Sequence, residues 1–110
     1  VKHINLSSSR KGDLAEYYAV TWLWDQGYDV FKNCGCSGII DLIARDSQGH
    51  TKLIDVKTFR KNGTSEMNQA GLSQQQKDAG IQILGFNSNT RDLRFVDHLH
   101  EIYGENNNDN

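Results

Sequence analysis

At 110 residues, with 36% hydrophobic and 24% charged side chains, the chain holds apolar material for one small core and not two. No run is long enough to cross a bilayer and no secretory pattern is visible, so the expectation is an intracellular protein of the cytoplasm or nucleoid. The net charge of -2 argues against a uniformly basic nucleic-acid binder, yet Arg10, Lys11, Lys57, Arg60, Lys61 and Lys77 leave room for a local basic patch.

Residues 2–10 read as an irregular, serine-rich lead-in. Residues 13–26 read as a helix, because Leu14, Ala15, Tyr18, Ala19, Trp22 and Leu23 recur on one face. Gly27 stands in the usual glycine position past a helix end. Trp22 belongs to the core side, while Trp24 is a candidate subunit contact. A short strand follows over 28–32, then a loop, NCGCSG, over 33–38. Cys34 and Cys36 in that loop fall short of the four ligands of a closed zinc site and read as reduced thiols.

Strands are expected over 39–45 and 51–58, joined by a hairpin turn containing Ser47-Gln48-Gly49. Residues 59–71 are polar and irregular, with one helical turn expected around Glu66. Ser73 caps a short helix running to Ala79. Two further strands, 81–86 and 93–96, flank the turn-rich NSNTRD, and 97–103 reads as a last helical turn. His98 and His100 lack matching ligands nearby and read as surface residues. The acidic ENNNDN over 105–110 reads as a disordered tail, which leaves 1–104 as one domain. The order is helix, three strands, helix, two strands: an α/β fold with a mixed central sheet flanked by helices.

The segment LIDVKT (53–58) carries the chemistry. Alternation along a strand puts Asp55 and Lys57 on one face and Ile54 and Val56 on the other. A turn centred on Gln48 sets Asp41 opposite Asp55, with Cβ atoms about 4.5–5.5 Å apart on a shared face. Only an odd register shift would separate them. Opposed like charges destabilise a sheet unless a counter-charge is present. Lys57 supplies one, and a hard divalent cation such as magnesium would satisfy both carboxylates. Two carboxylates and an ammonium on a rigid sheet suit phosphodiester hydrolysis, in which a metal polarises the phosphate and acidifies a bound water. The plainer alternative is an exposed sheet face with an ordinary Asp–Lys ion pair.

Taken together, KGDLAE (11–16), SGIIDLIARD (37–46), LIDVKT (53–58) and LSQQQ (72–76) resemble the PD-(D/E)XK nuclease superfamily. The likeness is narrower to its archaeal Holliday-junction resolvase branch and related small endonucleases, and it spans residues 10–86. It implies a restriction-endonuclease-like αβββαβ core. By this resemblance Asp41 and Asp55 are metal ligands, Lys57 is the catalytic lysine, and Glu16 assists metal or water binding. The Val56 backbone carbonyl would be a further ligand, and Gln76 would lie near the site or the DNA. Ile40 stands where the family pattern has proline.

The implied cofactor is one or two Mg2+ ions per site, with Mn2+ as a substitute. The implied partner is DNA, branched or duplex, with no nucleotide cofactor and no membrane. Arg10, Lys11, Arg60 and Lys61 would hold DNA phosphates. One site cuts one strand, so symmetric cutting of a duplex or junction implies a homodimer. A junction-selective endonuclease is the first expectation. A site-specific homing or restriction-type endonuclease of the same fold is the second, and a non-cleaving DNA-binding subunit the third. Two residues keep a structural reading: Glu16 as partner of Asp13 in a capping box, and Gln76 as one of three solvated glutamines.

Overall fold

The computed structural model describes residues 7–35, 37–59 and 71–96. Cys36, Arg60, Lys61, the turn around Glu66, the segment 97–103 with His98 and His100, and the tail 105–110 lie outside the described residues. No helix among those described is long and apolar enough to cross a membrane.

The chain order is helix α1 (Ser8–Asp25), strands β1 (Asp29–Lys32), β2 (Leu42–Arg45) and β3 (Thr51–Phe59), helix α2 (Gln74–Asp78), then strands β4 (Ile81–Asn87) and β5 (Leu93–Val96). Helix α1 starts earlier than its apolar periodicity indicates. Ser7 is the N-cap, its hydroxyl accepting the Arg10 N–H at 3.2 Å. Residues 8–10 of the lead-in are therefore helical, and Asp13 lies inside the helix rather than capping it. The capping box between Asp13 and Glu16 does not form. Arg10 and Lys11 stand in the first turns of α1, not in an irregular arm. The early turns escaped the sequence reading for two reasons. They are exposed and so carry no apolar stripe, and cations in a first turn oppose the helix dipole. The helix ends as expected, with the Gly27 N–H on the Trp24 carbonyl at 2.9 Å and Gly27 at φ 92°.

The five strands form one sheet in the order β1-β2-β3-β4-β5. Its pairs are antiparallel except β3 with β4, which run parallel, so the sheet is mixed as expected. The hairpin between β2 and β3 fixes the register that matters. Asp46 Oδ1 accepts the N–H groups of Gln48 and His50, both at 2.9 Å, and Gly49 takes φ 89°. A turn so centred pairs Leu42 with Ile54 and Arg45 with Thr51.

The two sheet faces then divide by alternation. Ala19, Val20 and Leu23 of α1 pack on Leu42, Ala44, Ile54 and Leu84, and Val56 and Trp22 lie against this cluster. Trp24 points away and is 59% exposed. On the opposite face, Leu53, Asp55 and Lys57 of β3 sit beside Ile81, Ile83 and Gly85 of β4. This second face carries Asp55 and Lys57, and the apolar face anchors it. Leu23 is fully buried in the α1 contact. Leu23→Ala is expected to cost about 2–5 kcal/mol in urea denaturation, the usual range for an emptied leucine site.

Candidate active site

Strand β2 ends its regular pairing at Leu42, one residue after Asp41. Asp41 keeps the ladder going by its backbone. Its N–H donates to the Ile54 carbonyl and its carbonyl accepts the Asn33 N–H, both at 2.9 Å. Asp41 and Leu42 thus both lie against Ile54, and the paired register ends one residue short of the expected pairing of Asp41 with Asp55. Beyond it the chain departs from β3, and Asp41 Oδ2 takes over the partnerless Val56 N–H at 2.7 Å. By strand alternation the Val56 carbonyl faces the same gap.

Asp55 is 7% exposed. Its Oδ1 accepts the Gln76 Nε2 at 3.2 Å, and its Oδ2 lies 3.1 Å from Lys57 Nζ. That ammonium is close enough to pair electrostatically, yet it does not lie along a hydrogen-bonding direction. Oδ2 is thus buried without a hydrogen bond. The Lys57 side chain is 26% exposed, so its charge sits at the rim of the pocket and not in its depth.

Gln76 combines the two roles that the sequence left open. Its Oε1 accepts the Ser73 N–H at 3.0 Å, and Ser73 Oγ accepts the Gln76 N–H at 3.1 Å, completing a capping box. The amide nitrogen then reaches away from the helix, to the Ile39 carbonyl at 3.0 Å and to Asp55. Capping locks the side chain in the orientation that bridges Asp55 to the segment leading into Asp41.

Asn33 was not picked out by the sequence. Its Nδ2 donates to the carbonyls of Ile40 at 2.9 Å and Ser37 at 3.1 Å, and its Oδ1 accepts the Gly35 N–H at 2.9 Å. The loop leading to Asp41 is wound around this one amide. Gly38 adopts φ 112°, and a Cβ there would come within 3.0 Å of Asn33 Nδ2. The available signal was an asparagine opening a glycine-containing loop, which marks a turn and says nothing of its neighbour's chemistry.

Glu16 stands at the margin. Its Oε1 pairs with Lys32 Nζ at 3.2 Å, and that hydrogen bond holds the Lys32 pKa above its ordinary value. Lys32 also lies over the Tyr17 ring at 5.4 Å. The Glu16 charge still reaches Asp41 and helps raise its pKa. Among the described residues, no three His, Cys, Asp or Glu side chains gather closely enough to hold one ion. The structure brings together Asp41, Asp55, Lys57 and Gln76, and leaves Glu16 bound to a lysine.

The Asp41 carboxyl is pushed up from 3.8 to about 6. Burial is the largest cause, and the Val56 N–H opposes it. The charges of Asp55 and Glu16 and a hydrogen bond to Asp55 add to the rise. Asp41 is thus the carboxyl that takes up a proton at mild acid pH. A hard cation, if bound, would relieve this strain in place of a proton. The residues fit magnesium: two carboxylates, one of them with a buried oxygen lacking a hydrogen bond, and a nearby backbone carbonyl.

No protein-family model and no curated protein matches the chain. Among solved structures it is similar to a bacterial homing endonuclease, I-Ssp6803I, with a TM-score of 0.60 at 18% identity. The match covers 84% of this chain and spans 66% of the length of that one. At this identity the likeness concerns the fold: a mixed α/β sheet of five strands with flanking helices.

The Asp41 shift has a defined sign. Its folded pKa is raised, so the native state binds the proton more tightly than the unfolded chain. The resulting stability is complete below about pH 4 and is lost as pH rises through about 6. After allowance for solvent screening the effect is on the order of 1–2 kcal/mol. Urea denaturation of metal-free protein is expected to show this loss between pH 4 and 7, and Asp41→Asn to abolish it. A second expectation concerns Gln76→Ala, which strips Asp55 Oδ1 and the Ile39 carbonyl of a shared donor. It should lower stability by about 1–3 kcal/mol in the same assay.

Proposed function

We propose that this chain is a magnesium-dependent DNA endonuclease of the PD-(D/E)XK type. The observation that carries the reading is the pocket in which Asp41 and Asp55 converge, with Lys57 at its rim and one buried carboxylate oxygen lacking a hydrogen bond. A plain surface ion pair would leave neither carboxylate so dry.

Asp41, Asp55 and the Val56 carbonyl would hold one or two Mg2+ ions, with Mn2+ as a substitute. When bound, the metal acidifies a water and polarises the scissile phosphate. The protein's own groups act around that centre. Gln76 holds Asp55 in place through Oδ1 and leaves Oδ2 for the cation. Asn33 fixes the backbone that carries Asp41. Lys57, partly exposed beside Asp55, positions the attacking water and offsets charge gathering on the phosphate. Glu16 adds negative potential that favours cation entry, and Lys32 restrains it. Arg10 and Lys11, on the first turns of α1, and Arg60 and Lys61 after β3 would contact DNA phosphates.

Two substrates fit this chemistry. The fold likeness to a homing endonuclease favours site-specific cutting of duplex DNA, which now ranks first. The sequence motifs support the second reading, cleavage of branched junctions. A homodimer would place two sites for paired strand cuts in either case.

The test is a cleavage assay with magnesium on linear duplex, supercoiled and four-way-junction DNA. Lys57→Ala and Asp55→Ala are each expected to slow cleavage by ~10²-fold or more, and chelation to stop it. Wild-type rates in both variants would remove the proposed site. Discrete cuts in the linear duplex would support the homing-type reading, and preference for the junction the resolvase-type one.

A further inference from the structure

At the margin of the carboxylate pocket, Glu16 and Lys32 form an ion pair that does little for stability. Their side chains are 23% and 30% exposed, and solvent screens most of the attraction at such sites. The consequence of the pair lies in where it stands. Lys32 ends β1 and pairs with Leu42 of β2. The next residue, Asn33, donates its N–H to the Asp41 carbonyl at 2.9 Å. Lys32 and Asp41 thus sit one step apart in register, on strands that run about 4.8 Å from each other.

The ammonium is held by two neighbours on α1. Alternation turns Lys32 to the face that α1 covers. There Glu16 Oε1 takes its Nζ at 3.2 Å, and the Tyr17 ring lies 5.4 Å from it, near enough for a cation–π attraction. Glu16 and Tyr17 are adjacent in the helix, so one turn of α1 grips the end of β1 beside Asp41. The Glu16 carboxylate is close enough for its charge to bear on Asp41.

Three carboxylates and two ammonium groups therefore meet at this corner. Lys57 attends Asp55 at 3.1 Å, Lys32 attends Glu16 at 3.2 Å, and Asp41 takes the Val56 N–H at 2.7 Å. Charges this close act on one another across the whole group. We propose that Lys32 is a positioning residue that sets the Mg2+ affinity of the pocket, by holding Glu16 at the end of β1 and cancelling its charge. The inference rests on the cation site of the nuclease reading. With Lys32 in place, two carboxylates face the cation. With the ammonium removed, Glu16 is released and adds its charge to theirs.

The test is Mg2+ titration calorimetry of the full chain at low salt, without DNA. It compares the wild type, Lys32→Met, Lys32→Arg, Glu16→Gln and the double variant Lys32→Met with Glu16→Gln, each checked for folding by circular dichroism. Lys32→Gln takes the place of Lys32→Met if that variant does not fold. Lys32→Met is expected to tighten Mg2+ binding by roughly threefold to tenfold, and Lys32→Arg to stay near the wild type. Glu16→Gln is expected to weaken binding more in the Lys32→Met background than alone, because only there is Glu16 released. Unchanged or weaker binding in Lys32→Met would overturn the inference and leave the cation site standing. So would a rise in Lys32→Arg as large as that in Lys32→Met. Equal effects of Glu16→Gln in both backgrounds would overturn it too, since Lys32 would then act as a separate charge and not through Glu16. No binding in either the wild type or Lys32→Met would overturn both the inference and the cation site.

Discussion

Two carboxylates confined in one partly dry pocket are the source of most of what is distinctive here. Burial and mutual repulsion make Asp41 reluctant to ionise, with its pKa near 6. A sheet tolerates such an arrangement only with help. The Val56 N–H, the Gln76 amide and the Lys57 ammonium supply it, and they leave one oxygen of Asp55 unsatisfied. The remaining structure can be understood as the frame for that pocket. The apolar contact between α1 and the sheet anchors β3. The turn at 46–50 fixes the register, and the Asn33 loop and the capped α2 grip the two aspartates from either side.

Much of this frame was readable beforehand because it depends on local chemistry. A Ser-Gln-Gly turn between apolar-patterned strands specifies a hairpin, and the hairpin sets the register from Arg45–Thr51 to Leu42–Ile54, one residue short of Asp41 and Asp55. Strand alternation then assigns Ile54 to the core and Asp55 to the site. Ser73 announced itself as a cap by its position. The features that escaped depend on partners distant in sequence or on exposed backbone. Helix α1 starts at Ser8 because Ser7 can cap it, but its first turns have no apolar stripe to reveal them. Glu16 sits on a helix, and its pairing with Lys32 requires knowing that β1 ends beside that helix. Asn33 spans its own loop through three hydrogen bonds, and nothing in the residue type distinguishes that role from an ordinary turn. Gln76 was ambiguous because three glutamines stood in a row. Its place three residues after the Ser73 cap selects it from them.

The fold and the site argue at different levels. The likeness to I-Ssp6803I concerns the path of the chain, and folds of this kind can host unrelated chemistry. The acid pair and lysine argue for hydrolysis of a phosphodiester whatever the fold is called. The choice between duplex and junction lies in neither; it belongs to whatever surface meets the DNA beyond the pocket. Arg10 and Lys11, on the first turns of α1, are candidates for that surface.

The central claim is that Asp41 and Asp55 form a cation site, and magnesium titration calorimetry tests it without any assumption about substrate. The account predicts saturable Mg2+ binding at pH 7.5 that weakens and releases protons as the pH is lowered toward 6, and that disappears in Asp55→Asn. Heats indistinguishable from dilution in the folded wild type, or binding unaltered in Asp55→Asn, would contradict it.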